Sequence, residues 1–271
     1  MSKYAGCSIT STSAFLGGFV AQEIVKFTGK YTPVKQWFYY DTLESLPDGD
    51  VDKKPQGCRY DDQIKVYGSE SVSLLGKQNV FMVGAGALGC EYLKAFALMG
   101  LGCQGGSVTV TDNDNIEVSN LNRQFLFRAP DVGKSKSECA SAKARQINPA
   151  FNVKAYTSLV GTDTEQLFDD NFWEGKDFIV NAVDNIKART YVDGRCVWYE
   201  KPYLEAGTLG TKCNSQIIIP HVTQCYSDSR DPDEESIPMC TLRNFPNQIE
   251  HCIEWGRDHF NTLFTERATD C

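Results

Sequence analysis

The chain has 271 residues, 41% of them hydrophobic, and a formal net charge of −8. That is apolar material for one large domain or two modest ones. The acidic balance excludes a general nucleic-acid binder, which needs a basic face. No apolar run approaches the roughly 20 residues of a membrane span, and the first residues, Met1 to Tyr4, lack the apolar core of a signal peptide.

Eleven cysteines are present, and no two form a C-x-x-C pair. Neither a zinc ribbon nor a thioredoxin-type redox motif is therefore offered. The count and the missing signal peptide predict reduced thiols in the cytoplasm and nucleus. Most should be small apolar core residues.

Residues 13–28 predict a helix, with Phe15, Leu16, Phe19, Val20, Ile24, Val25 and Phe27 on its face and Gly29 as its stop. Residues 37–40 predict a short strand. Residues 47–58 are polar and broken by Pro and Gly, which reads as a linker. From residue 79 a strand–helix alternation begins. Strands are expected at 80–83, 107–111, 153–157, 178–182, 203–206 and 216–219, the last closed by Pro220. Leu88, Tyr92, Phe96 and Met99 follow at near-helical spacing, and further helices are expected at 134–147 and 186–200. Alternation of this kind predicts an α/β domain, a parallel sheet covered on both faces. Its ligand should lie at the carboxyl ends of the strands. Residues 221–248 read as loop. Residues 247–264 read as one amphipathic helix carrying Ile249, Ile253, Phe260 and Phe264, the expected opening of a further domain.

Gly84-x-Gly86-x-x-Gly89 follows a strand and opens a helix, the context in which glycines let backbone approach phosphate. Its bland alternative is a tight turn without a ligand. Asp112 ends the second strand, where a carboxylate would grip a ribose; a nicotinamide dehydrogenase would carry the same residue. Asn120, Arg123 and Gln124 follow within twelve residues. This cationic, amide-rich segment suits a nucleoside triphosphate better than hydride transfer, because arginine matches phosphate geometry. Lys136 opens the next helix within reach of the same phosphates. Its bland reading, a solvated first turn, is opposed by the helix dipole. Asp184 ends a buried strand and suits Mg²⁺ beside polyphosphate, or else caps the helix after it. Cys240 precedes a helix with Arg243 close in sequence, conditions that favour a thiolate; otherwise it is one more inert thiol. His221, His251 and His259 form no metal or triad spacing with it.

The carrying motifs are Val-Gly-Ala-Gly-Ala-Leu-Gly-Cys-Glu at 83–91, Thr-Asp-Asn-Asp-Asn-Ile-Glu-Val-Ser-Asn-Leu-Asn-Arg-Gln-Phe-Leu-Phe-Arg at 111–128, Asp-Val-Gly-Lys-Ser-Lys-Ser at 131–137, Asn-Ala-Val-Asp-Asn at 181–185, Gly-Thr-Leu-Gly-Thr-Lys at 207–212 and Ser-Ile-Pro-Met-Cys-Thr-Leu-Arg-Asn-Phe-Pro at 236–246. With them the chain resembles the ubiquitin-activating enzymes. The last motif is much more specific to that branch; the others are shared with bacterial sulfur-carrier adenylases. The resemblance implies the ThiF/MoeB-type adenylation fold, a Rossmann-like, mostly parallel sheet flanked by helices. It also implies roles. Gly84, Gly86 and Gly89 would cradle ATP, Asp112 would hold the ribose, and Asn120, Arg123, Gln124 and Lys136 would bind phosphate with Asp114 close by. Asp184 would bind Mg²⁺. Arg123 and Lys136 would assist catalysis, and Cys240 would take ubiquitin as a thioester for transfer to ubiquitin-conjugating enzymes.

The same resemblance divides the chain. Residues 1–46 would end an inactive adenylation half, 47–77 would form a linker and lead-in helix, 78–220 the ATP-binding domain, and 221–271 the crossover loop and the start of a cysteine domain. Related adenylases carry Arg-Tyr-x-Arg-Gln before the first strand, where this chain has Arg59-Tyr60-Asp61-Asp62-Gln63. Asp62 stands at the arginine position, so the resemblance implies that the missing inactive half supplies that arginine and that the chain is an incomplete fragment. The rival readings are an adenylase for another ubiquitin-like or sulfur-carrier protein, a nicotinamide dehydrogenase, and a pseudo-enzyme half.

Overall fold

The computed structural model describes residues 4–29, 31–35, 37–209, 212–229 and 249–264. Six strands form one sheet: β1 (Asn79–Val83), β2 (Ser107–Thr111), β3 (Val153–Tyr156), β4 (Phe178–Asn181), β5 (Tyr203–Leu209) and β6 (Lys212–Ile218). Their spatial order is β3-β2-β1-β4-β5-β6. The first five are parallel, and β6 alone runs antiparallel, against β5. The chain winds outward from β1 to β3, then returns to place β4 on the other side of β1. The reversal between β1 and β4 is the switch point at which open α/β sheets leave a crevice.

Helices cover both faces, so the central strands need apolar side chains in both directions. Val80, Phe81, Met82 and Val83 of β1 are all buried. On one face Val80, Met82, Val108, Val110 and Val180 pack with Leu93, Phe96, Ala140 and Ala144 of helices α4 (Ala87–Met99) and α5 (Lys136–Ile147). On the other, Phe81, Val83, Ile179, Tyr203 and Ile218 pack with Trp173 of α6 (Asp170–Glu174) and with Val192 and Cys196 of α7 (Ile186–Trp198). After β6 a short helical turn, Tyr226–Asp228, docks on α7. Asp193, 1% exposed, accepts bonds there from the Tyr226 amide at 3.1 Å, the Ser227 amide at 3.0 Å and the Ser227 hydroxyl at 2.6 Å.

Ahead of the sheet, the lead-in forms two helices, α2 (Asp61–Tyr67) and α3 (Ser69–Lys77). Asp62, in α2, accepts the Ser8 amide at 3.0 Å and Lys65 Nζ at 3.2 Å. Helix α1 (Thr10–Val25) buries none of its residues. The strand expected at 37–40 does not form. Its alternation is present, since Phe38 stacks on Phe19 at 4.1 Å and Tyr40 on Phe15 at 4.0 Å, while Trp37 and Tyr39 point outward. A ladder partner is what it lacks among the described residues, and an extended segment without one is not a strand. Helix α8 (Ile249–Phe264) leaves Ile249, Ile253, Phe260 and Phe264 exposed.

Candidate functional site

The crevice end of β1 is a glycine turn. Gly84 adopts φ +98° and donates its amide to the Thr111 carbonyl at 2.8 Å, joining the ends of β1 and β2. A Cβ on Gly84 would lie 2.6 Å from the Ala182 oxygen, and one on Gly89 2.4 Å from the Gly84 oxygen. Both glycines are therefore required by packing. Gly86 is different: the nearest atom to a Cβ there is Gln124 Nε2 at 3.8 Å. Gly86 begins α4, which has no side-chain cap and no acidic residue in its first turn. The amide end of that helix faces the opening and suits an anion.

Asp112 locks this turn to β2. Its Oδ2 accepts the Ala85 amide at 2.7 Å and its Oδ1 the Asp114 amide at 2.9 Å. Burial pushes its carboxyl above the usual aspartate range, and the two amides and Lys136 pull it partly back. Each oxygen keeps a lone pair for a further donor. Lys136 is 9% exposed, and its ammonium meets Asp114 Oδ2 at 2.7 Å while its amide donates to the Asp114 carbonyl at 3.0 Å. Ser135 caps α5, accepting the Glu138 amide at 3.3 Å, and thereby sets Lys136 in the first turn. The ion pair explains how a cation is tolerated at that end of the helix.

Asn120 is buried, its Oδ1 taken by the Glu117 amide at 2.9 Å, so in this arrangement it shapes the loop. Gln124 is 4% exposed, and its Oε1 has no hydrogen-bond partner among the described residues. An orphaned buried acceptor beside Gly86 is a place where a ligand or water donor fits. Arg123 lies on the loop surface and donates to the Ser119 carbonyl at 2.8 Å. Asp184, beyond the end of β4, is exposed and makes no hydrogen bond or ion pair among the described residues. The cap of α7 is Asn185, whose side chain accepts the Ala188 amide at 2.8 Å, and not Asp184. A hard, uncommitted carboxylate suits Mg²⁺, which takes one or two such groups beside phosphate and water. Among the described residues no cluster of three or more His, Cys, Asp or Glu could hold a metal. Cys240 lies outside the described residues. Burial raises the thiols of Cys90, to about 12, Cys139 and Cys196, so these are inert core groups.

The glycine turn, Asp112, Asp114, Lys136 and Gln124 thus form one linked cluster, with Asp184 at the end of the strand beside it. One arrangement had no reading in the sequence. Arg189 Nε and Nη2 both donate to the Val183 carbonyl, at 3.1 and 3.0 Å, and Nε lies 3.1 Å from Glu205 Oε1. Glu205 Oε2 accepts Asn181 Nδ2 at 2.8 Å and the Tyr203 hydroxyl. A glutamate inside an otherwise apolar strand was the available signal, since buried carboxylates require a partner.

Residues 60–256 match the description "ThiF family", and residues 246–271 match "Ubiquitin-activating enzyme, SCCH domain". Among curated proteins, the chain is 53% identical to the ubiquitin-like modifier-activating enzyme 1 of Rattus norvegicus, over 97% of this chain and 26% of that protein. It is also 53% identical to ubiquitin-activating enzyme E1 1 of Schizosaccharomyces pombe, over 95% and 26%. It therefore spans about a quarter of the length of these relatives. Among solved structures, Escherichia coli MccB with MccA-N7isoASN superposes with a TM-score of 0.58 at 23% identity, covering 78% of this chain and 59% of that one. MccB with AMPCPP and MccA gives 0.57 at 24%, covering 76% and 57%. The glycine turn, the Asp112 lock, the Lys136–Asp114 pair and the sheet that places them all lie inside the matched span, and on that match the chain belongs to the ThiF family.

Proposed function

We propose that this chain forms the ATP-binding part of an enzyme that activates ubiquitin. The observation that carries the reading is the cluster at the ends of β1 and β2, where an open helix N-terminus stands beside Gln124, whose Oε1 is unpartnered among the described residues, and the buried Lys136 pairs with Asp114 next to the Asp112 lock. Support comes from the relatives, whose names include ubiquitin-activating enzyme, and from the AMPCPP in one MccB structure. Gly84, Gly86 and Gly89 would let backbone close on the phosphates, Asp112 would accept from the ribose hydroxyls, and Gln124 would accept from a ligand or water donor. Lys136 would exchange Asp114 for phosphate, and Arg123, with Asn120 shaping its loop, would add a second cation. Asp184 would hold Mg²⁺, which when bound supplies charge neutralisation at the transferring phosphorus.

The ubiquitin carboxylate would attack the α-phosphorus, breaking the bond to the β-phosphate and releasing pyrophosphate. The Cys240 thiolate would then attack the acyl carbon and expel AMP, leaving a thioester for a ubiquitin-conjugating enzyme. With Asp62 at the arginine position, the inactive adenylation half would complete the phosphate site. We place the enzyme in the cytoplasm and nucleus, where the eleven thiols of this chain would stay reduced.

Calorimetric titration of the chain tests the nucleotide site: saturable MgATP binding, weakened by Lys136→Ala, is expected, and binding of NAD with none of MgATP would overturn it. A chimera tests the activity. With this chain replacing the matched segment of the rat relative, ATP should give a thiol-sensitive ubiquitin adduct that Cys240→Ala abolishes while adenylate still forms.

A further inference from the structure

Asp184 has no hydrogen bond or ion pair of its own to fix its direction among the described residues. Its backbone is held from both sides instead. On the far side Asn185 caps α7. On the near side the Val183 carbonyl, just beyond the last paired residue of β4, receives two donors from Arg189. The guanidinium is held in turn by Glu205, 1% exposed on β5 directly opposite Asn181. Asn181 Nδ2 lies 2.8 Å from both Glu205 Oε2 and the Tyr203 hydroxyl, and that hydroxyl donates to the same carboxylate. Space for the guanidinium exists because residue 207 is glycine, where a Cβ would lie 2.6 Å from Arg189 Nη2.

A buried ion pair is a poor way to gain stability, because desolvation offsets much of the attraction and apolar residues of similar volume often serve as well or better. What the pair delivers here is direction. Two donors of a planar fork converge on one carbonyl oxygen, an arrangement a flexible ammonium does not reproduce. We propose that Arg189 and Glu205, with Tyr203 and Asn181 behind them, are positioning residues that brace the Val183–Asp184 turn so that the Asp184 carboxylate is presented to the metal of a bound metal–nucleotide complex. The metal half of this inference rests on the nucleotide-binding reading above; the brace itself rests on the geometry alone.

The test pairs two readouts on the whole chain: residue-resolved amide hydrogen exchange without nucleotide, and the dependence of ATP affinity on Mg²⁺ concentration. Arg189→Lys keeps the charge beside Glu205 and loses the two-pronged grip. It is expected to speed exchange about tenfold or more at the two hydrogen-bonded amides that flank the turn, Ala182 on the Val83 carbonyl and Ala188 on the Asn185 side chain, while the core strands keep their protection. Loss of an outer partner of a metal ligand typically weakens metal affinity about 10–100-fold, so the Mg²⁺-dependent gain in ATP affinity should fall by at least the lower figure while Mg²⁺-free ATP binds as before. Tyr203→Phe removes one hydroxyl behind the carboxylate and should shift both readouts the same way by less; it serves if Arg189→Lys fails to fold. Unchanged exchange at Ala182 and Ala188, or exchange that rises only with global unfolding, would overturn the brace. Faster local exchange with an unaltered Mg²⁺ dependence would overturn the metal role and leave only a backbone clamp. A parent chain whose ATP binding ignores Mg²⁺ would instead count against the metal reading itself, and the exchange data would still decide the brace.

Discussion

Gly86 and Gly89 stand three residues apart and answer to different demands. A methyl at 89 meets the Gly84 carbonyl at 2.4 Å, so Gly89→Ala should lose about 1–3 kcal/mol in urea unfolding, the cost of overpacking. A methyl at 86 meets nothing closer than 3.8 Å, so Gly86→Ala should unfold with the parent yet bind ATP at least tenfold more weakly if phosphate sits where that methyl would go. Asp112 adds a pH signature. Burial holds its folded pKa above the roughly 3.9 of an unfolded aspartate. Between those values the folded chain keeps a proton that the unfolded chain has released, so the Asp112 contribution to stability falls as pH rises through that window. Nucleotide affinity moves the other way, because the ionised carboxylate is the better acceptor for ribose hydroxyls. Calorimetry down to about pH 4 should therefore show affinity dropping on the acid side at a pH above that of an ordinary aspartate, and Asp112→Asn should flatten the drop.

Helix α5 shows how an element sets a site. Its cap, Ser135, places Lys136 in the first turn, and the Lys136 amide bonds the Asp114 carbonyl. Ser135→Ala should cost about 1 kcal/mol by thermal or urea unfolding, and it should weaken ATP by more than the loss of stability explains. The alternation of strands and helices was legible from residue 79 onward, because parallel strands buried on both faces read as short apolar runs between helical spacings. Gly84, Gly86 and Asp112 were legible because their position at strand ends fixes their geometry. The antiparallel sense of β6 was not, since an apolar run such as 216–219 carries no direction. Residues 37–40 misled for the reason already visible in their stacking: side-chain period two reports an extended backbone, and strand formation also needs a neighbour. The brace at Arg189 was hidden because it joins a helix, two strands and a loop carbonyl far apart in sequence.

At the scale of the whole molecule, a ligand that binds only the folded chain must raise its stability. Saturation at about 100 times Kd adds about 2.7 kcal/mol, which for a domain of this size raises Tm by about 5–10 °C. A thermal scan with and without MgATP reads this directly, and no shift would count against the nucleotide site. Sheet topology also bears on the proposed second chemical step. Because β6 runs opposite to its neighbours, it carries the chain away from the crevice end, and Asp193 then moors it to the flank of α7 at Ser227. Cys240 follows thirteen residues later. Fully extended, that leash reaches about 45 Å, against about 23 Å for the height of a seven-residue strand. On the proposed function, the chain length alone would let the thiol reach the crevice with every strand still seated. Nucleotide chemistry and thiol delivery would, on that same proposed function, be mechanically separate, so Asp193→Ala should leave ATP affinity intact while slowing thioester formation in the chimera.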